Sequence, residues 1–220
     1  MQIKEITLQS TNISDIFLFY KDVLQMDVVR SQSGFAVTAG ATKLIFEESK
    51  QTKNPFYHFA FNIPSNQFEE AFEWTKAKVD LLWLKDYNGT VADFVNWHAK
   101  SFYFKDPAGN ILEMIARFDL HNTSEERFSP KNIINVSEIG LVFPGKSFDK
   151  EIDSIMKEYS LDYFEKQPPL PQFRAIGNDE GLFICVPENR IWFATDDESK
   201  MFPLEVIFND INKLHKLEMK

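Results

Sequence analysis

Cysteine is almost absent from this 220-residue chain: Cys185 stands alone in the apolar run LFICV. A lone thiol closes no intrachain disulfide, and in such company it reads as a buried structural group rather than a nucleophile. Histidine is scarce too, confined to His58, His98, His121 and His215. Basic charge is in deficit. Against 33 Asp and Glu there are 24 Lys and Arg, giving a net charge of −9 with no basic run, which excludes nucleic acid or an anionic membrane as the expected partner. No apolar run approaches membrane-spanning length, and the opening MQIKEITL alternates like a strand without the apolar region of a signal peptide; the expected location is cytoplasmic. What is abundant is apolar bulk, 44% of residues with 22 Phe, enough for one large core or two small ones.

The most informative stretch is SFYFKDPAGNILEMIAR, Ser101 to Arg117. Two β-rich runs, Ser101 to Lys105 and Ile111 to Ala116, flank a turn from Asp106 to Asn110. Asp106 can accept hydrogen bonds from the backbone that follows, Pro107 presets its own φ, and Gly109 supplies a positive φ. The unit is a hairpin. Its second strand places Ile111, Glu113 and Ile115 on one face, so a carboxylate points into whatever that face encloses. An unpaired buried carboxylate is costly, whereas a paired or metal-bound one is not.

Around this hairpin the chain repeats itself. Strand Ile3 to Leu8, a helix opened by Asn12 or Ser14 with Ile16, Tyr20, Val23 and Leu24 on one face, and strands at Val28-Val29, Gly34 to Thr38 and Lys43 to Glu47 form a βαβββ unit. After Lys53-Asn54-Pro55 the order restarts with strand Tyr57 to Ile63, a helix from Ser65, a strand near Leu81 to Leu84 and the hairpin. A polar linker precedes a third copy: strand Val136 to Phe143, a helix after Ser147, and strands Gly181 to Val186, Ile191 to Ala194 and Leu204 to Phe208. The copies align at Glu5-Ile-Thr-Leu, His58-Phe-Ala-Phe and Glu138-Ile-Gly-Leu, and again at Leu112-Glu113 and Leu204-Glu205. Such repetition implies units that bury their apolar faces only by packing on one another. The organisation read from it is modules 1–52 and 55–118 in one domain, a linker 119–135, a diverged module 136–210 and a polar tail 211–220.

The run from Phe102 to Glu113, with Phe19-Tyr20-Lys21-Asp22-Val23-Leu24 one module earlier, resembles the vicinal oxygen chelate superfamily of lactoylglutathione lyases, bleomycin-resistance proteins and extradiol dioxygenases. The resemblance covers the first half of the chain, and the last third as a diverged module. It implies an α+β fold in which two βαβββ modules, here the first two, form a cupped mixed sheet with helices outside. It also implies a divalent metal, Fe, Mn, Ni or Zn, held in the cup by residues of the first and last strands of each module, and no organic cofactor. Carried across, the ligand positions fall on Glu5, His58 and Glu113, Glu5 being a base if it is not a ligand. In module one either Phe46 or Glu47 faces the cavity, Phe46 being favoured. Glu138 and Glu205 read as relics of the repeat or as salt-bridge partners.

The two-histidine set of the dioxygenases is not reproduced, which leaves two readings: a metal-dependent lyase, isomerase or dioxygenase acting on a small oxygen-bearing molecule, or a metal-free binding protein like the bleomycin-resistance members. Each expects a small-molecule partner. A third module without a sister implies either a homodimer or a lid over the first cup.

Overall fold

The computed structural model describes residues 1–49, 54–211 and 213–220; the expected module boundary at residue 52 lies outside them. The first copy comprises β1 (Gln2–Ser10), α1 (Ile13–Leu18) continued by a π-helical turn (Phe19–Val23), β2 (Asp27–Arg30), β3 (Gly34–Ala39) and β4 (Thr42–Glu48). The second comprises β5 (His58–Ile63), α2 (Phe68–Lys76), β6 (Ala92–Phe94), β7 (Ala99–Lys105) and β8 (Ile111–Arg117). β9 (Asn135–Phe143), α3 (Phe148–Tyr159), β10 (Arg174–Asn178), β11 (Gly181–Pro187), β12 (Leu204–Asp210) and β13 (Lys213–Met219) follow.

These strands form two mixed sheets. Sheet A runs β13-β12-β1-β4-β3-β2, and sheet B runs β10-β11-β9-β5-β8-β7-β6. In each copy the first strand pairs parallel with the last, as β1 with β4, β5 with β8 and β9 with β11. The fold is therefore the expected α+β assembly of βαβββ modules, but the partners differ from the expectation. The cup is made by the second and third modules, joined antiparallel along β5 and β9. The first module pairs instead with β12, which leaves the third module, and with β13, formed by the stretch read as a polar tail. The third module has its sister within the chain, so its sheet requires neither a dimer nor a lid role.

The hairpin turn folds as its residues dictate. Asp106 Oδ1 accepts the N–H groups of Ala108 (2.9 Å) and Asn110 (3.0 Å), its Oδ2 accepts Asn110 Nδ2 (2.7 Å) and the Tyr20 hydroxyl (3.2 Å), and Gly109 has φ +88°. Two expected strands do not form. Leu81 to Leu84 makes only isolated bridges, because Asn88 at φ 47° turns the chain so that Leu84 bonds Gly89. Ile191 to Ala194 is a loop, since Asn189 (φ 64°) and Ala194 (φ 68°) break the extended run.

Burial follows the alternation. Tyr57 just before β5, Phe59 and Phe61 of β5, Leu112 and Met114 of β8, and Ile139 and Leu141 of β9 face a cluster shared with the helices and with Ile6, Leu8, Leu44 and Phe46 of sheet A. The opposite face of sheet B builds a second cluster around Ala60, Tyr103, Ile115, Ile184 and Trp192. That second face is the interior of the cup. Among the described residues no helix is long and apolar enough to cross a membrane.

Candidate metal centre and substrate cavity

The centre of the cup is an alanine. Ala60 on β5 lies opposite Glu113 of β8 on one side and Glu138 of β9 on the other. Its methyl group leaves the space above the sheet open, and a bulge in the β5–β9 ladder beside it re-aims the neighbouring strand. His58, two residues along, shares this face. The outcome is a buried group of His58, Glu113 and Glu138 whose ligand atoms all lie within 4.8 Å of one another.

Burial perturbs all three groups. The His58 Nδ1 lies 3.1 Å from the Ile111 carbonyl and Nε2 lies 3.7 Å from Glu113 Oε2. Burial holds the imidazole down to about 4, so at neutral pH Nδ1–H donates to the carbonyl and the Nε2 lone pair faces the carboxylates. Glu113 is 2% exposed and its Oε1 has no hydrogen-bond partner; burial and then the charge of Glu138 raise it to about 8. Burial raises Glu138 as well, and the adjacent Arg117 guanidinium opposes the rise. Arg117, fully buried, donates through its Nη2 to Glu138 Oε1, lies 3.4 Å from Asp179 through Nη1, and sits over the Trp97 ring. Asp179 is in turn bound by Lys166 at 2.6 Å.

The group opens into a cavity of about 220 Å³. Its walls include Phe94, Trp97, Tyr103, Phe173, Trp192 and Phe193, with Gln167 and Arg190 as further polar lining. Tyr103 stands opposite Glu113 on β7, and burial and the Glu113 charge push its hydroxyl far above the usual range, so it remains a proton donor. Trp192 packs against His58, with ring centroids 5.4 Å apart. It can do so because residue 140 is glycine: a Cβ there would stand 2.7 Å from the Trp192 ring.

Of the expected ligand positions, His58 and Glu113 come together and Glu5 does not join them. Glu5 lies on sheet A, where it pairs with Lys43 at 3.1 Å. Phe46 also points elsewhere than expected: it packs in the core with Tyr20 and Phe35, while Glu47 shares the Glu5 face. The third member of the group is Glu138, whose alignment with His58 was the available signal. Sheet A repeats the pattern in a different electrostatic setting. Thr7 lies opposite Glu205 as Ala60 lies opposite Glu138, and Lys43 and Lys216 stand against Glu5 and Glu205. His98 is not among the residues that line the cavity and is bound to Asp119 at 2.6 Å. Arg117, Arg190 and Trp192 carried no sequence signal beyond strand alternation for the first.

No family model matches the chain. Metallothiol transferase FosB of Staphylococcus haemolyticus is 32% identical over 119 residues, 51% of this chain and 81% of that protein. FosB of Staphylococcus epidermidis is 31% identical over a stretch of the same length and coverage. Among solved structures, one named "putative dioxygenase" from Bacillus subtilis superposes with a TM-score of 0.59 at 15% identity, over 84% of this chain and 63% of that one. This chain thus spans less than two thirds of that protein, and the likeness is one of fold. On its similarity to the FosB proteins and on this fold, the chain belongs to the vicinal oxygen chelate superfamily.

Proposed function

We propose that the protein is a metal-dependent enzyme acting on a small oxygen-bearing organic molecule bound in the cup of sheet B. The observation that carries this reading is the convergence of His58, Glu113 and Glu138 at the floor of an apolar cavity. The donor set fits a divalent ion: a neutral imidazole with its lone pair inward, a carboxylate oxygen with no other partner, and a second carboxylate held from behind by Arg117. One nitrogen and two carboxylates suit Mn²⁺, Fe²⁺, Ni²⁺ or Zn²⁺. When bound, such an ion supplies Lewis-acid polarisation of a substrate oxygen. The FosB relatives, metallothiol transferases by name, support the metal.

The chain's own residues do the remainder. Ile111 fixes the His58 ring through its carbonyl, and Arg117 orients Glu138. Trp192, Phe193 and Trp97 keep water from the floor of the cavity, and the Tyr103 hydroxyl can hydrogen-bond a substrate oxygen beside Glu113.

The test is metal content by plasma mass spectrometry on chelator-free protein, followed by turnover of glyoxalase-type, thiol-transfer and dioxygenase substrates. Near-stoichiometric metal, lost in Glu113→Gln and Glu138→Gln, is the expected result. Absence of metal after reconstitution with all four ions refutes it. A second reading, a metal-free binding protein, is favoured by one observation. With His58 neutral, Glu113 protonated and Glu138 paired with Arg117, the floor balances its own charge at neutral pH.

A further inference from the structure

The cavity wall carries a cation that the metal chemistry leaves unused. Arg190 lines the cavity, half-buried, with its guanidinium over the Phe173 ring at 5.5 Å and Nη1 donating to the Ile191 carbonyl at 3.3 Å. Arg117 and Arg174 both have carboxylate partners, but among the described residues none lies within ion-pair distance of Arg190. Burial pushes its pKa down with no carboxylate to restore it, and its charge reaches His58, lowering that imidazole further. A guanidinium presents five N–H donors in a planar fork matched to an oxyanion.

Arg190 is held in place by its backbone. Its N–H donates to Ser199 Oγ (3.1 Å) and its carbonyl accepts Ser199 N–H (2.7 Å), while the buried Ser199 hydroxyl donates to the Pro187 carbonyl (2.7 Å). A half-desolvated cation without a counter-ion is costly, and an anionic ligand offsets that cost. Space sets the rest. An apolar cavity of about 150 Å³ accepts benzene, so 220 Å³ walled by aromatic rings accommodates one ring and a small substituent.

We propose that Arg190 is an anion subsite of this cavity, and that the occupant is a ring-bearing molecule carrying a carboxylate or similar small oxyanion. The inference rests on the cavity being the substrate site and is independent of whether a metal is bound.

The test is intrinsic fluorescence titration of the full chain, Trp97 and Trp192 lining the cavity, with benzoate and phenylphosphonate against benzamide and benzyl alcohol. The titrations are run with chelator present and repeated after metal loading. In chelator, each anion binds at least about tenfold tighter than its neutral counterpart. Arg190→Gln abolishes the preference, and Arg190→Lys retains part of it, with circular dichroism unchanged in both. Equal binding of anions and neutral isosteres, a preference that survives Arg190→Gln, a preference seen only with metal, or no binding of any probe in the millimolar range overturns the proposal. Metal content, measured on the same samples, reports separately on the enzyme reading.

Discussion

Replacing Arg117 by Met removes the guanidinium that neutralises a buried carboxylate. Asp179 keeps Lys166 at 2.6 Å, so the loss falls on Glu138, which has no other cationic side chain in ion-pair contact among the described residues. Removing one partner of a buried pair costs about 3–5 kcal/mol, which in a chain of this size lowers the melting temperature by roughly 6–20 °C. Met keeps most of the packing against Trp97, so the electrostatic part dominates. Burial already raises Glu138 and Arg117 holds it back. Without Arg117 the carboxyl takes up a proton more readily, and the cost is smaller at about pH 5.5 than at about pH 8. Urea unfolding of chelated protein at both pH values, for Arg117→Met, Glu138→Gln and the double variant, measures this. The double variant recovers most of the loss, because nothing charged is then left unpaired. A double variant as unstable as Arg117→Met alone, or an equal cost at both pH values, refutes the assignment of Arg117 as the counter-ion.

Three further outcomes are expected. His58→Ala, Glu113→Gln and Glu138→Gln each lower metal affinity at least about tenfold in plasma mass spectrometry after dialysis, whereas Glu5→Gln, on the other sheet, leaves metal content unchanged. Gly140→Ala places a methyl group against Trp192, costs about 1–3 kcal/mol by overpacking and shifts the tryptophan emission. The chelated protein loses stability as pH rises from 6.5 to about 8: the unfolded chain has by then released the protons of both His58 and Glu113, and the folded chain still holds that of Glu113. Unfolded His58 is half-protonated at the lower end of the window and folded Glu113 half-deprotonated at the upper end, so the slope stays at or below about 1 kcal/mol per pH unit and the loss is on the order of 1 kcal/mol. Between 4.5 and 6.5 the two groups offset each other, because the folded state keeps the Glu113 proton and lacks that of His58. Glu113→Gln flattens the fall in urea titrations.

The modules, the hairpin and the inward aim of His58 and Glu113 were legible because strand alternation and turn chemistry are local. Which modules share a sheet was not. β1 offers the same kind of edge to a partner as β9 does, and the choice is made by contacts such as Val136 N–H to Thr42 Oγ1 (3.0 Å) and Ala41 N–H to the Ile134 carbonyl (2.8 Å), which wedge the first module against the start of β9. Pairing β5 with β9 brought Glu138 into the cup and left Glu5 outside. Glu5 and Glu138 look alike in sequence; what separates them is a lysine on the adjoining strand in one case and a buried arginine in the other. Arg190 sits in a loop whose path depends on Ser199, several residues on, and no periodic pattern announces it.

The division of strands between the sheets also sets an order of assembly. Sheet B draws on the uninterrupted stretch 58–187, while sheet A brings Ile3 against Phe208 across the whole of it. Closing a loop of that length is entropically expensive and slow compared with the shorter closures within sheet B. During synthesis the cup can therefore form while β12 is still unmade, with Ile6 and Leu8 of β1 lacking their antiparallel neighbours Val206 and Leu204. Over that interval β1, paired on one side with β4, presents its other edge unpaired, the kind of edge that captures another nascent chain until β12 covers it.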